Sequence, residues 1–281
     1  MDKVAARRWW AMGALSVAVL AISLDVTVLT VALPTLAGVF KASESQLQWF
    51  ITAYTLVLAA AMLPSGLLGD RYGHRIVALV ALAVFGLGSI ACAYAPSPEA
   101  FIVARAVLGL SGAALIVMAL SLITVLFDED ERPRAVGIWG AANFVALPLG
   151  PILGGWILTN AWWGWVFLLN VPVVLAALVA VFLFVPSTDA MEHPEIDVVG
   201  VIASSAGLAI LMYGIIEAGR IGWSDMSAVG PTLGGLAILV AFILWEARLT
   251  SRPNGHPLVD LGLFRSRSFG WGVILTSIGV F

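Results

Sequence analysis

Two charged side chains in this 281-residue sequence stand where hydrocarbon belongs: Asp25, inside the apolar run 10–33, and Arg105, inside the apolar run 99–126. An ionisable group near the centre of a membrane span costs about 2.5–3.5 kcal/mol on insertion scales, so it needs a partner, water or a function. Asp25 precedes Leu33 by about 12 Å of helix, and Arg105 follows Glu99 by about 9 Å. With alternating spans, both charges sit at one depth in the outer half of a bilayer, within reach of a direct or water-mediated contact. Two chemistries fit. The pair is either a structural lock between two helices, or a proton relay in which Asp25 loads and releases H+ while Arg105 tunes its acidity. Apolar surroundings and a neighbouring guanidinium pull a carboxyl's proton affinity in opposite directions, which is what a tunable relay requires.

The rest of the chain supplies helices to hold such a pair. Hydrophobic residues make up 61% and charged residues 11%, against roughly 25% charged in a soluble domain. The mean hydropathy of +1.02 leaves too little polar surface to coat a water-soluble globule. An all-α integral membrane protein follows. A span needs about 20 mainly apolar residues, and eight runs qualify: 10–33, 48–69, 76–95, 99–126, 134–159, 164–185, 198–217 and 228–246. A ninth begins near Ser268 and ends at Phe281, short of the hydrocarbon thickness, so the sequence is expected to be the N-terminal portion of a longer protein. With a cytoplasmic N-terminus, Lys3, Arg7, Arg8, Arg71, Arg75, Arg132, Arg134, Arg248, Arg252, Arg265 and Arg267 fall inside, and Lys41 and Arg220 fall outside. That segregation is the positive-inside bias. Tryptophans cluster at predicted span ends, where the ring is apolar and the N–H is wet.

Several functions are excluded. A formal charge of −3, with Lys3 and Lys41 as the lysines, cannot track a phosphate backbone. A single cysteine, Cys92, permits neither an internal disulfide nor a multi-cysteine metal site. The sequence has no G-x-x-x-x-G-K-[ST] loop and no H-E-x-x-H, and His74, His193 and His256 all fall in predicted loops. Gly86-x-Gly88 lies mid-helix with no preceding strand, which fits helix packing rather than a dinucleotide site. The expectation is a non-enzyme with no cofactor and no bound metal, driven by an ion gradient or by its substrate's own gradient.

Five segments in order resemble the major facilitator superfamily, and within it the fourteen-helix drug:proton antiporter branch. Leu24 to Pro34 (LDVTVLTVALP) is similar to L-D-x-T-[IV]-[VL]-N-V-A-L-P, with Thr30 in place of Asn. Gly66 to Arg75 (GLLGDRYGHR) resembles the loop motif G-x-L-a-D-r-x-G-r-k, with His74 at a basic position. Arg105 to Gly109 resembles R-x-x-q-G, with Leu108 where Gln is usual. Gly150-Pro151-Ile152-Leu153-Gly154-Gly155 resembles the antiporter motif g-x-x-x-G-P-x-x-G-G, with Ala146 leading it. Trp163 to Pro172 resembles W-R-W-[IV]-F-x-[IL]-N-x-P, with Gly164 replacing Arg. Asp197-x-x-Gly200 looks like the opening of the extra helix pair that distinguishes the fourteen-helix branch.

The resemblance implies an N-terminal six-helix bundle (1–185), a cytoplasmic linker (186–197), an accessory transmembrane pair (198–246), a second linker (247–267) and the start of a C-terminal bundle (268–281). It also implies inverted three-helix repeats and alternating access. Asp25 and Arg105 then sit on the equivalent first helices of the two repeats. The loop residues Gly66, Asp70, Arg71, Gly73 and Arg75 act either as a gate latch on helix ends or as topology-setting charge. Ala146, Gly150 and Gly154 share one face at a spacing of four and permit close backbone approach, while Pro148 and Pro151 bend the helix. With Gly155, this segment is expected to seal the cavity against leak. Tyr54, Asn143 and Glu217 are candidate substrate contacts; Asn143 could equally bond a neighbouring backbone, and Glu217 could be a solvated helix end. Some cation-exporting relatives carry an acid two residues before the tyrosine of the second span, where this chain has Thr52.

The implied activity is efflux of an amphipathic small molecule from the cytoplasm across the plasma membrane in exchange for protons. The alternatives are an uncoupled or uptake transporter of a small solute, and a non-transporting membrane partner subunit. One bundle cannot enclose a two-sided cavity, so a C-terminal bundle is expected to be required, and the 281-residue product alone is expected to be inactive.

Overall fold

The computed structural model describes residues 3–186 and 197–250, and among them all regular structure is helical. Lipid offers backbone groups no hydrogen bonds, so an apolar stretch must satisfy its own. The helices are α1 (Lys3–Phe40), α2 (Glu44–Tyr72), α3 (His74–Ala93), α4 (Pro98–Leu126), α5 (Arg132–Asn160), α6 (Trp165–Leu168), α7 (Asn170–Phe184), α8 (Val198–Ile221) and α9 (Met226–Thr250). The short α6 and α7 form one span, Trp165–Phe184, giving eight helices long and apolar enough to cross a membrane. That number agrees with the eight runs in the sequence. The ninth run lies outside the described residues.

Two elements differ from expectation. Helix α1 does not stop at Leu33 but continues through Pro34 to Phe40. Asp25 is therefore about 22 Å from that helix end rather than 12 Å. Proline lacks one N–H, yet neighbouring helices can satisfy the carbonyl it leaves, so a membrane helix tolerates it. The sixth span divides at Leu169. Pro172 cannot donate to the carbonyl of Leu168, and it falls instead in the first turn of α7, where no donor is needed. Leu169 keeps helical dihedrals (φ −55°, ψ −32°), so the hydrogen-bond ladder breaks without a change of hand.

Local chemistry fixes the helix ends. Ser43 and Gln46 form a reciprocal capping box at the start of α2. Ser97 caps α4, with Pro98 in its first turn. Gly73 joins α2 to α3 at φ +88°, a conformation that disfavours any side chain.

The chain divides into two compact units, Met1–Glu192 and His193–Phe281. In the first, α1 packs on α5 and α7, α4 packs on α2 and α3, and α3 also meets α7. Exchanging α1 with α4, α2 with α5 and α3 with α7 leaves this pattern unchanged, as an inverted three-helix repeat demands. In the second, α8 and α9 pack along each other, and the Trp245 indole N–H donates to Asp197 Oδ2 at 2.9 Å.

Candidate functional site

Helices α1 and α4 meet at the centre of the first unit, and the two unusual charges meet there. Arg105 Nη1 donates to Asp25 Oδ2 in a direct ion pair. Asp25 is 2% exposed and Arg105 1%, so neither is screened by solvent. Burying such a pair removes several kcal/mol of hydration from each ion, and the remaining donors and acceptors must also be satisfied. They largely are. Arg105 Nε donates to the Phe50 carbonyl at 3.0 Å, and its guanidinium lies over the Tyr54 ring, 4.5 Å from the centroid. Asn170 Nδ2 donates to the other carboxylate oxygen, Asp25 Oδ1, at 3.1 Å, and reaches Ser89 Oγ at 3.4 Å. Helices α1, α2, α3, α4 and α7 thus each contribute to one buried polar centre.

Aromatic rings close this centre toward the ends where α2 and α4 begin. Phe50 and Phe101 meet edge to face at 4.6 Å between centroids, Phe101 meets Phe167 at 5.3 Å, and Phe40 meets Trp163 at 5.6 Å. Phe50, Phe101 and Phe167 are fully buried. Gly109, one turn beyond Arg105, lets α4 lie directly on α2: a Cβ there would stand 2.3 Å from the Tyr54 carbonyl oxygen. That approach holds the Tyr54 ring against the guanidinium. The Tyr54 hydroxyl is buried without a hydrogen-bond partner among the described residues.

The antiporter-motif segment lies along α1, beside Asp25. Ala146, Gly150 and Gly154 are buried on one face of α5, while Pro151 is exposed and Gly155 half-buried. A Cβ on Gly150 would meet Thr27 Oγ1 at 1.9 Å, and one on Gly154 would meet Val28 Cγ1 at 3.0 Å. Thr27 Oγ1 also reaches the Ala146 carbonyl at 3.4 Å. Asn143 does two things at once. Its Oδ1 accepts from Ser23 Oγ on α1, and its Nδ2 donates to the Trp139 carbonyl at 3.1 Å.

The expected loop is mostly helical: Gly66, Asp70 and Arg71 belong to α2, His74 and Arg75 begin α3, and Gly73 alone joins them. Gly66 and Gly69 face α4, at Val117 and Met118. Asp70 pairs with His74 at 3.3 Å, and the Arg71 guanidinium sits over the Tyr72 ring. Arg75 crosses to the far end of α7, donating to the Phe182 carbonyl and lying 5.2 Å from the centre of its ring. Glu217 belongs to α8 in the second unit and pairs with Arg220 one turn on. The described residues hold no cluster of His, Cys, Asp or Glu suited to a metal ion.

Sequence reasoning brought Asp25 to Arg105 but did not single out Asn170 or Ser89. Asn170 carried a signal, as the one polar residue between the aromatic run Trp165–Phe167 and Pro172. Ser89 carried none, because a lone serine in a membrane helix ordinarily bonds its own backbone.

The profile described as Major Facilitator Superfamily matches residues 15–281. The chain belongs to that superfamily. Among its relatives, the tetracenomycin C resistance and export protein of Streptomyces glaucescens is 34% identical over 98% of this chain and 50% of its own length. The multidrug efflux pump LfrA of Mycolicibacterium smegmatis is 34% identical over 98% of this chain and 53% of its own. The multidrug export protein EmrB of Haemophilus influenzae is 34% identical over 94% and 51%. The chain therefore spans about half the length of the curated relatives it matches. Among solved structures, the proton:xylose symporter XylE aligns with a TM-score of 0.60 at 15% identity, covering 86% of this chain and 54% of that one. This likeness shows the major facilitator fold. A multi-pass membrane protein of a transporter superfamily, not an enzyme family, is the result.

Proposed function

We propose that this chain forms the N-terminal portion of a proton-coupled exporter of amphipathic small molecules, working by alternating access in the plasma membrane with the N-terminus cytoplasmic. Export rather than uptake is favoured by the names of the relatives, which are resistance and efflux proteins. The single observation that carries coupling is the buried Asp25–Arg105 pair with its remaining carboxylate oxygen held by Asn170. Proton uptake at Asp25 would turn a neutral ion pair into a lone cation, and the helices around it would repack. Tyr54 and Asn143 are proposed to face substrate in part of the cycle, with Glu217 as a further acidic contact. Asp70, Arg71 and Arg75 are proposed to latch the cytoplasmic side, with Gly73 making the close turn between α2 and α3 and Gly66 letting α2 lie near α4. Ala146, Gly150, Pro151, Gly154 and Gly155 are proposed to keep α5 tight on α1 against leak. A C-terminal bundle is required to close the cavity, so the activity belongs to the full-length protein.

The complete burial of the pair also favours a second reading, a lock between α1 and α4 with no transport of protons. Everted vesicles carrying the full-length protein separate the two, with tetracenomycin C as the probe. Coupling predicts that accumulation collapses when the pH gradient is dissipated and is lost in Asp25→Asn at normal protein levels. Gradient-driven accumulation that persists in Asp25→Asn would overturn the proton role.

A further inference from the structure

Resting on that reading, the question becomes which oxygen of Asp25 takes the proton and what receives it. Oδ2 is occupied by Arg105 Nη1, a group that can only donate. A proton placed there would set two donors against each other and expel the guanidinium from its seat on Phe50 and Tyr54. Oδ1 faces a different kind of partner. Asn170 is 1% exposed and carries both an acceptor and a donor on one amide. Ser89, fully buried behind it, carries a hydroxyl that can serve as either.

We propose that Asn170 is a positioning residue that makes Oδ1 the protonated oxygen of Asp25, by reversing its amide when the proton arrives. In the ionised state Asn170 Nδ2 donates to Asp25 Oδ1 at 3.1 Å and toward Ser89 Oγ at 3.4 Å. A proton from water reaching the centre forms the O–H bond at Oδ1. The amide then rotates by half a turn, so that its oxygen accepts from the new Asp25 hydroxyl and from the Ser89 hydroxyl, which turns from acceptor to donor. Asp25 Oδ2 keeps its bond to Arg105 throughout. The Asp25 carboxyl and the Ser89 hydroxyl each keep Asn170 as a partner in both states, and the centre gains one positive charge. An aliphatic side chain at 170 could serve neither state, and a lysine could serve only the ionised one. The titratable and charged groups facing Asp25 are Arg105 from α4, Tyr54 from α2 and Cys92 from α3. On α5, Arg132 and Arg134 stand in the first turn of a helix that meets α1 near Asp25 through its later residues, Ala146 and Gly150.

Infrared difference spectroscopy tests this without a transported substrate. The full-length protein in lipid nanodiscs is titrated, and the carbonyl stretch of protonated carboxyl groups is followed. The band that disappears in Asp25→Asn belongs to the centre. Asn170→Leu, nearly the same shape with no hydrogen bonds, takes the acceptor from the protonated form as well as the donor from the ionised one, so the band itself is expected to move to higher frequency as the Asp25 O–H loses its partner. Ser89→Ala is expected to move it less and in the same sense, and it carries the test alone should Asn170→Leu fail to insert. A band frequency unmoved in the variants that fold, with the band still dependent on Asp25, would overturn the role of Asn170 and leave the Asp25 reading intact. A titration with no Asp25-dependent band would overturn both.

Discussion

Replacing Gly150 by alanine tests whether α5 lies as close to α1 as the geometry requires. The added Cβ would stand 1.9 Å from Thr27 Oγ1, 2.6 Å from Thr27 Cβ and 3.2 Å from the Thr27 carbonyl carbon. Turning Thr27 aside does not relieve the clash cheaply, because its hydroxyl donates to the Ser23 and Leu24 carbonyls at 2.9 and 3.2 Å, and the backbone contact would remain. The helices must separate, and overpacking of this kind costs about 1–3 kcal/mol. Alanine also improves helix propensity by up to about 1 kcal/mol, which would mask part of the loss. Gly155→Ala supplies the control, since a Cβ there has nothing within 4 Å. The difference between the two variants cancels propensity and leaves the steric cost, about 5- to 150-fold in the folding constant. Reversible unfolding by SDS titration in mixed micelles, read by tryptophan fluorescence, measures it. In the full-length protein, Gly150→Ala is expected to increase passive leak while Gly155→Ala does not. If the two variants unfold at the same SDS fraction, the close seam does not exist and the leak-seal role has no basis.

Two further substitutions probe the frame of the site. Gly73→Ala forces a side chain onto φ +88° at the α2–α3 junction and should destabilise by about 1–3 kcal/mol in the same titration; an unchanged midpoint would mean the turn relaxes freely. Arg105→Leu strands a buried carboxylate and should cost about 3–5 kcal/mol. Combined with Asp25→Asn, the loss should fall short of the sum of the single losses by about 1–3 kcal/mol, and additivity would mean that the two side chains do not interact.

The spans were legible because lipid enforces one rule on every residue at once: about 20 apolar positions, bounded by cations and indoles. The Asp25–Arg105 pair was legible for the same reason, as two charges where none should be. The route to it was partly fortuitous, since α1 runs seven residues past the expected end and its outer length was misjudged. The companions of the pair were not legible. Asn170 reaches Asp25 across 145 residues of sequence, and Ser89 lies on a third helix. Ser89 has no local pattern, and the motif that holds Asn170 does not name its partner, because what brings both to Asp25 is the crossing of α3 and α7 rather than a periodicity. Likewise, the glycines of α5 announced a tight contact by their spacing, but only packing names Thr27 and Val28 as the surface they meet.

The enclosure of one base with one acid also has an electrical side. Arginine stays cationic in any folded protein, so the centre carries zero or one net charge depending on Asp25 alone. Moving one elementary charge across the whole bilayer is worth about 2.3 kcal/mol per 100 mV. If Asp25 loads a proton as proposed, voltage acts on the loaded form and is nearly indifferent to the empty one, a grip for the membrane potential that a neutral site would lack.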